Sequence, residues 1–404
     1  MFPRSDRATL ASPAGAATFR DASDTSDVRM TTVSMTITSP CATKRRDALV
    51  ERLFESAIGM LDVMSVYVGD RLGLYQVLAE RSSLTARQLA QATGTNERYI
   101  REWLEQQAST GILEAEDDAA PHLRGNAETR RFSLPAGHAE VLIDRDSLNC
   151  LAGLLRLVVG VGKPLPALLE AYKTGAGVPY PDFGVDTREG IAEMNRPMFL
   201  NLLGQEWLPA IPELHARLQA NPPARVLDAG CGTGWSSIAI ARAYPNALVH
   251  GFDADEASIM AARANAAAAG LSDRVTFAVR DASRPGIAGR FDLVTAFETV
   301  HDMGRPVAAL AWMRELLADG GVVLVADERV GETFSAPGDA IERLNYGFSA
   351  LHCLPATMAE SDEAATGTVM RPPTLRRYAQ EAGFSAVEIA PIEHDFWRFY
   401  LLRP

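Results

Sequence analysis

Apolar residues along the chain follow two different patterns, which divide the sequence into a helical first half and an alternating second half. From about Lys44 to Tyr67 they recur every three or four residues, the spacing of one face of an amphipathic helix. From about Pro223 onward, short apolar runs alternate with stretches of helical period. Such an alternation predicts an α/β domain, a largely parallel sheet with helices on both faces.

Residues 1–44 show neither pattern. They are rich in Ser, Thr, Ala and Pro, and their basic and acidic residues alternate. No apolar core of a signal peptide is present. A segment that cannot bury apolar surface stays unfolded, so we predict a disordered tail over residues 1–44.

Residues 45–140 contain two short helices followed by a small hairpin, which is the order of elements in a winged helix. The first helix starts behind a serine and the second behind an asparagine, both good N-caps. The predicted elements are the helix Leu84–Ala92 capped by Ser83, the helix Glu97–Ser109 capped by Asn96, and the strands Ile112–Leu113 and Arg131–Leu134.

The charges of this winged helix argue against DNA binding. Helices that enter the major groove are usually basic, because neutralising phosphate supplies much of the affinity. In the two helices the charges balance, with three arginines (Arg87, Arg98 and Arg101) and three glutamates (Glu97, Glu102 and Glu105). The hairpin adds four acidic residues, Glu114, Glu116, Asp117 and Asp118. We therefore predict a dimerisation and substrate-covering domain, and a homodimer.

Residues 141–220 are predicted to be a helical linker and lid. A loop rich in Gly and Pro carries Tyr180 and Phe183, and Met194 and Met198 lie on one stripe of the helix that follows. One interpretation is plain core. The other is a lid over an apolar acceptor, for which methionine is suited because its side chain adapts in shape. These four residues are the candidate substrate contacts of the segment.

The stretch RVLDAGCGTGWSSIAIARAYPNALVHGFDAD, from Arg225 to Asp255, carries the most specific signal. It reads as strand, glycine turn, helix and second strand with a terminal carboxylate, a βαβ unit that binds an adenosine-bearing ligand. A dinucleotide fingerprint requires glycine where this chain has Trp235. The turn instead has the spacing D-x-G-x-G-x-G, formed by Asp228, Gly230, Gly232 and Gly234.

This spacing resembles motif I of class I S-adenosylmethionine (SAM) methyltransferases. The resemblance implies that the glycine turn approaches the methionyl part of SAM, and that Asp253 and Ala254 hold the ribose hydroxyls. Asp281 and Ala282, after the next strand, match the place where the family contacts the adenine amine; Asp281 is alternatively a helix N-cap. Glycine turns also occur in Rossmann folds that bind other ligands, which is the competing interpretation.

The run FDLVTAFETVHDM resembles motif IV of the same family, at the edge of its methyl-transfer site. His301 is the candidate general base, since imidazole titrates near neutral pH; its alternative is a structural or substrate-binding role. Glu298 is expected beside the cationic sulfonium of SAM. Asp302 either orients His301, caps the next helix or contacts substrate.

The remaining chain completes a seven-strand methyltransferase sheet. A helix Pro306–Ala318, a turn at Asp319 to Gly321 and a strand Val322–Ala326 are predicted. A cap insertion over residues 330–370 then supplies the candidate contacts Asn345 and Tyr346. It also holds His352 and Cys353, whose interpretation as a nucleophilic pair we reject because adjacent residues on a helix do not face each other. The final FWRFYLL predicts an antiparallel strand.

Composition narrows the function. The net charge of −12 disfavours nucleic acids and anionic membranes, and no run of eighteen apolar residues is present. Four scattered cysteines indicate a reduced, cytoplasmic protein, and we predict no metal. The chain is thus expected to methylate a small apolar or aromatic acceptor, with O-methylation favoured and N-methylation next. The alternatives are a SAM-responsive transcription regulator and a SAM-binding protein without catalysis.

Overall fold

The computed structural model describes residues 40–117, 125–282 and 289–404. Contacts divide the chain into two units, Met1–Glu55 and Ser56–Pro404. Most of the predicted tail 1–44, and Asp118 of the predicted hairpin, lie outside the described residues. Helix α1 begins at Pro40, inside the predicted tail.

The winged-helix region, residues 56–144, pairs three short strands in the order β1-β3-β2, antiparallel throughout. Its buried core includes Leu74, Tyr75, Leu104 and Phe132. The elements are α1 (Pro40–Arg71), α2 (Leu74–Arg81), β1 (Leu84–Thr85), α3 (Ala86–Thr93), α4 (Glu97–Ser109), β2 (Glu114–Glu116), β3 (Arg131–Ser133) and α5 (Ala136–Leu142).

Two predicted boundaries here are wrong. Helix α3 begins at Ala86 rather than Leu84, because Leu84 and Thr85 pair with β3 and the Thr85 side chain caps the helix reciprocally with Gln88. The first hairpin strand starts at Glu114 rather than Ile112. The N–H groups of Ile112 and Leu113 both donate to the Gln107 carbonyl, so these residues close α4 before the strand begins.

A helical segment connects this region to the sheet. Its helices are α6 (Ala152–Val161), α7 (Leu165–Thr174), α8 (Tyr180–Phe183), α9 (Val185–Met198), a π-helical continuation (Phe199–Trp207) and α10 (Pro212–Gln219). Helices α6 and α9 pack backbone to backbone: a Cβ on Gly160 would lie 2.6 Å from the Thr187 nitrogen. In the described part of the chain no single helix is long and apolar enough to cross a membrane. Helices α6 and α7 have the necessary length and apolar content only when they are taken together, and they are bent relative to each other.

The seven-strand sheet is confirmed, with the order β6-β5-β4-β7-β8-β10-β9. Strands β4 to β8 run parallel and β10 is antiparallel to both of its neighbours. The strands are β4 (Arg225–Ala229), β5 (Leu248–Asp253), β6 (Val275–Val279), β7 (Phe291–Phe297), β8 (Leu317–Glu328), β9 (Ala386–Ile389) and β10 (Trp397–Arg403).

Helices cover both faces of this sheet, and alternate residues of its strands enter separate cores: Val226 and Leu324 lie in one, Leu227 and Val323 in the other. The helices on these faces are α11 (Trp235–Ala243), α12 (Glu256–Ala268), α13 (Pro306–Glu315) and α16 (Pro372–Glu381). The cap insertion forms α14 (Ala340–Phe348) and α15 (Leu354–Glu360), which a π-helical turn, Ser349–Cys353, connects.

The predicted turn before the fifth strand is wrong. Strand β8 already begins at Leu317, which pairs with Phe291, and the next pair is Leu293 with Val322. The residues between Leu317 and Val322 therefore form an irregularity within one long strand. Gly320 has a φ of +77° there, a conformation that glycine adopts without a Cβ penalty.

Candidate active site

A cavity of about 930 Å³ lies at the carboxyl ends of β4, β5 and β7, the edge where parallel sheets bind ligands. Helix α9 and the cap helices α14 and α15 complete its walls. Thirteen of the residues predicted from sequence line it: Tyr180, Met194, Met198, Gly230, Gly232, Asp253, Ala254, Asp281, Ala282, Glu298, His301, Asp302 and Asn345. Four others, Asp228, Gly234, Phe183 and Tyr346, lie outside its lining.

Asp228 supports the glycine loop from beneath. Its buried carboxylate accepts hydrogen bonds from Ser236 Oγ and Ser237 Oγ, both at 2.6 Å, and from Thr295 Oγ1 at 2.7 Å. Burial raises the pKa of this carboxyl, and the three hydroxyl donors work against that rise. Asp228 therefore shapes the loop. Its side chain lies outside the cavity lining, so it does not reach the space available to a cofactor.

Phe183 and Tyr346 lie outside the cavity lining for different reasons. Phe183 is fully buried, and its ring meets the edge of His352 with centroids 4.6 Å apart. Tyr346 is 40% exposed, and its hydroxyl accepts a hydrogen bond from Arg371 Nη2 at 3.2 Å. Helix α14 turns Asn345 toward the cavity and its neighbour Tyr346 away from it.

The glycine loop offers open space on one side. Gly232 has a φ of +51°, and a Cβ placed on it would meet nothing within 4 Å. Its N–H donates to Asp253 Oδ2 at 2.9 Å, while Asp253 Oδ1 accepts from the Asp255 N–H at 2.9 Å. Burial raises the pKa of the Asp253 carboxyl. A side-chain-free backbone beside a carboxylate fits the methionyl and ribose parts of SAM.

Glu298 is held in an unusual backbone conformation directly after β7, with a φ of +50°. Trp397 Nε1 donates to its Oε1 at 2.6 Å, and Asn195 Nδ2 donates to its Oε2. Burial, together with the neighbouring Glu328, raises the pKa of Glu298 to about 7. The side chain is thus positioned by three elements of the fold at the cavity wall.

His301 is surrounded by carboxylates. Its ring is 2% exposed, with Nδ1 2.8 Å from Asp327 Oδ1 and 3.2 Å from Glu328 Oε2. Its Nε2 lies 3.3 Å from Asp302 Oδ1. Burial alone lowers the pKa of this imidazole, but the carboxylates, Asp327 first, outweigh burial and hold the pKa well above its ordinary value. At neutral pH the ring is therefore an imidazolium, whose Nδ1–H donates to Asp327 and whose Nε2–H faces the Asp302 carboxylate.

Of the two roles predicted for Asp302 beside substrate contact, helix capping is wrong. Helix α13 begins at Pro306 behind Arg305, with no side-chain cap. The carboxylate instead faces His301, and the attraction of that imidazolium outweighs burial and lowers the pKa of Asp302. The N-cap alternative for Asp281 concerns a segment outside the described residues.

His352 and Cys353 do contact each other, contrary to the sequence argument. Cys353 Sγ lies 3.4 Å from His352 Nδ1, within the π-helical turn that joins α14 to α15. Burial raises the pKa of the Cys353 thiol to about 12. The thiol therefore stays protonated at neutral pH, and a nucleophilic role is disfavoured for a different reason from the one argued from helical geometry.

Metal-binding residue types also meet here, which the sequence did not reveal because they are far apart along the chain. Two groups bring donor atoms within 4.8 Å of one another: His301 with Asp302 and Cys353, and His301 with Asp327 and Glu328. The ion pairs of His301 account for both groups. A metal would need a ring nitrogen with a free lone pair, and both nitrogens of the imidazolium carry a proton. The absence of a metal stays a prediction.

Sequence reasoning missed Asn195, Asp327, Glu328 and Trp397. Asp327 and Glu328 end β8, the strand beside β7, so their position at the carboxyl edge was a usable signal. Asn195 and Trp397 come from α9 and the antiparallel strand β10, and they reach Glu298 only through the tertiary fold.

Two family models match this chain. The model described as methyltransferase domain matches residues 221–381, and the model described as Rv2258c-like winged HTH domain matches residues 59–144. The chain therefore carries a methyltransferase domain, whose cofactor is SAM, behind an N-terminal winged-helix domain.

Similar proteins match part of the sequence or share the fold. Methyltransferase GfsG of Streptomyces halstedii is 31% identical over 130 residues, 32% of this chain and 46% of that protein. Human N-acetylserotonin methyltransferase in complex with SAM shares the fold with a TM-score of 0.65 at 17% identity, covering 88% of this chain and 97% of that one. Mitomycin 7-O-methyltransferase MmcR shares the fold with a TM-score of 0.63 at 20% identity, covering 89% of this chain and 99% of that one. The chain spans about a third of the length of the first curated relatives it matches.

Proposed function

We propose that this protein transfers the methyl group of SAM to a small acceptor, with an oxygen acceptor favoured and a nitrogen acceptor next. The observation that carries the proposal is the single cavity shared by the open face at Gly232, the carboxylate of Asp253 and the motif IV residues. When bound, SAM supplies an electrophilic methyl group. Its holding residues would be the glycine loop, Asp253 and Asp281.

The chain's own contribution is alignment and the exclusion of water. A volume of about 930 Å³ is near the upper end for small-molecule sites and leaves room for a cofactor and a small acceptor together. Met194, Met198 and Tyr180 supply apolar wall on the side of α8 and α9. These walls support a partly apolar or aromatic acceptor.

The state of His301 supports its alternative, non-basic role. An imidazolium carries a proton on each ring nitrogen and therefore has no lone pair to accept another. We therefore assign His301 a positioning role: it offsets the charge of Asp302 and Asp327 beside the cavity. Glu298 is proposed to face the sulfonium side of the cofactor.

A second copy of this chain is the proposed partner of α1. Apolar residues at helical spacing along it, Ile58, Leu61, Met64 and Val68, are between 38% and 63% exposed. An apolar stripe of this kind on a helix is typical of an interface. A cytoplasmic location is proposed from the four cysteines, all of which are free thiols.

DNA binding is not part of this proposal. The arginines of the second winged-helix helix are paired within the domain: Arg98 lies 2.6 Å from Glu102, and Arg101 lies 3.0 Å from Glu97. Pairing of this kind leaves little positive charge for phosphate. Retention of the protein on genomic DNA fragments at low salt would favour the regulator instead.

The experiment that tests the proposed function is transfer of label from methyl-labelled SAM into a heat-treated host extract. Fractionation of that extract into small molecules, protein and nucleic acid then identifies the class of acceptor. Label confined to small molecules supports the proposal.

A further inference from the structure

Two histidines line the cavity, and they differ in what their ring nitrogens contact. Both nitrogens of His301 face carboxylates. His352 is equally buried, at 3% exposure, but its Nε2 has no hydrogen-bond partner among the described residues. A buried polar atom without a partner costs free energy, so one that lines a ligand cavity points to a ligand group that completes it.

The surroundings of His352 determine which ring nitrogen carries the proton. Cys353 Sγ lies 3.4 Å from His352 Nδ1, and the donor atoms of Cys353 and Asp302 lie within 4.8 Å of each other. A carboxylate attracts the thiol proton more strongly than a neutral imidazole nitrogen does. We therefore place the thiol proton on the side of Asp302 and the imidazole proton on Nδ1, facing the sulfur, which leaves the lone pair on Nε2.

Aromatic rings fix the plane of this imidazole. The Phe183 ring meets it nearly perpendicularly, at 85° and 4.6 Å between centroids, and the Tyr180 ring lies 5.8 Å away. The ring is thus held from one side by packing and from the other by the chain through Cys353 to Asp302. A lone pair with a fixed direction is what a general base requires.

We propose that His352 Nε2 is the general base that takes the acceptor's proton during methyl transfer; this inference rests on the proposed function. The acceptor's oxygen or nitrogen forms a bond to the methyl carbon with its lone pair, and the carbon–sulfur bond breaks with its electrons going to sulfur. The acceptor's O–H or N–H bond breaks, its electrons stay on the acceptor, and the proton bonds to Nε2. The resulting imidazolium returns the proton to solvent.

Electrostatics support this assignment. Burial lowers the pKa of His352; Asp302 works against that change and the His301 imidazolium adds to it. The other titratable groups that face the ring, the Cys353 thiol and the Tyr180 phenol, are both neutral because burial raises their pKa values. His352 is therefore neutral and basic at pH 7, whereas His301 is protonated.

The protonation state is testable by NMR on the full chain with isotope-labelled histidine, whose seven histidines are few enough to resolve. The signals lost in His352→Gln are expected to be those of a neutral ring protonated on Nδ1, with a pKa below 6.5. Those lost in His301→Gln are expected to be imidazolium at pH 7. An imidazolium at position 352, or a neutral ring protonated on Nε2, would overturn the proposal.

The catalytic role is tested by the rate of label transfer from SAM into the small-molecule fraction of heat-treated extract. His352→Gln and His352→Phe, which keeps a ring against Phe183, should both lose roughly 10²- to 10⁴-fold in rate, the usual contribution of a general base. Their SAM affinity should be unchanged, and their residual rate should keep rising with pH where that of the wild type is level.

The outcomes separate this inference from the proposed function. No label with the wild-type protein would refute both. Label with the wild type, and wild-type rate and pH profile in both variants, would refute the base while leaving methyl transfer intact.

Discussion

His301 and Asp327 form an ion pair that is closed off from solvent: Nδ1 lies 2.8 Å from Oδ1, and neither side chain is more than 2% exposed. His301 lies in the 3₁₀ turn after β7, and Asp327 lies at the carboxyl end of β8. The parallel pairing of β7 and β8 brings the two residues together. The pair holds the His301 imidazolium at the wall of the cavity, with its charge offset by Asp327.

A double-mutant cycle on this pair should show strong coupling. His301→Gln or Asp327→Asn alone leaves a buried charge without its partner, which typically costs about 3–5 kcal/mol of unfolding free energy. The double variant should lose less than the sum, with a coupling of at least about 1 kcal/mol in urea unfolding at pH 7. The exposed pair Arg403–Glu213, at 2.9 Å, should couple by less than about 1 kcal/mol. Equal coupling in both pairs would contradict the account.

Gly232→Ala should weaken SAM binding more than it weakens the fold. The new Cβ has space in the free protein but enters the space assigned to the cofactor. A matched control is Gly320→Ala, where φ is also positive and nothing lies within 4 Å. Both variants should lose about 1–2 kcal/mol of stability from the left-handed backbone. Calorimetry should show a loss of SAM affinity of at least about tenfold in Gly232→Ala alone.

Asp253→Asn should weaken SAM binding by roughly 10- to 100-fold, since hydrogen bonds to a charged group contribute about 1.5–3 kcal/mol. The variant keeps an oxygen for the Gly232 N–H, which holds the loop, and loses the acceptor of the Asp255 N–H. Asp273→Asn, at an exposed turn, removes the same charge away from the cavity and should bind SAM as the wild type does. Unchanged calorimetric affinity in Asp253→Asn would rule out the ribose role.

The ligand-free protein should become less stable as pH rises from 5.5 to 7.5. The folded pKa of Glu298 is about 7 against an ordinary 4.5, so within this window the folded state holds a proton that the unfolded state has lost. Stability then falls by up to about 1.4 kcal/mol per pH unit for this group. His301, whose pKa is also raised, likewise lowers the stability of the folded state as pH rises above 6.5.

Glu298→Gln should make that dependence shallower in thermal unfolding, because its amide does not titrate, while the raised pKa values of Glu328 and His301 keep part of the slope. Its oxygen can still accept from Trp397, and Asn195 can rotate to offer its unpartnered Oδ1 to the new NH₂ group. Glu80→Gln, at an exposed position of α2, should keep the slope of the wild type. A melting temperature that rises across this window in the wild type would contradict the assignment.

Leu61→Glu should shift the protein toward monomer in analytical ultracentrifugation, since it places a charge within the apolar stripe of α1. Leu169→Glu, at an equally exposed apolar residue of α7, is the control and should leave the oligomeric state unchanged. A wild-type protein that sediments as a monomer would refute the homodimer.

Local patterns were enough to predict the sheet and the meeting of the glycine turn with Asp253, because a glycine turn and a strand-end carboxylate are adjacent in sequence to the elements that position them. Asp253 and Gly232 follow this rule. The environment of His301 does not, since two of its three acidic partners, Asp327 and Glu328, lie 26 and 27 residues away in sequence. The prediction of His301 as a base used the ordinary pKa of imidazole, and that value depends on neighbours a linear pattern does not contain.

The position of Tyr346 shows a second limit. Sequence placed it beside Asn345 in the cap insertion, but consecutive residues on a helix point about 100° apart, and only Asn345 lines the cavity. Which of two neighbours faces a ligand depends on how the cap helix packs, and that packing involves Arg371 on a distant segment.

The central claim is methyl transfer to a small molecule, and label transfer from methyl-labelled SAM into fractionated, heat-treated extract tests it most directly. The account predicts label in the small-molecule fraction with the wild type, a reduced rate in Asp253→Asn at limiting SAM, and the wild-type rate in Asp273→Asn. Label in the nucleic acid or protein fraction, or none in any fraction while calorimetry still shows SAM binding, would contradict it.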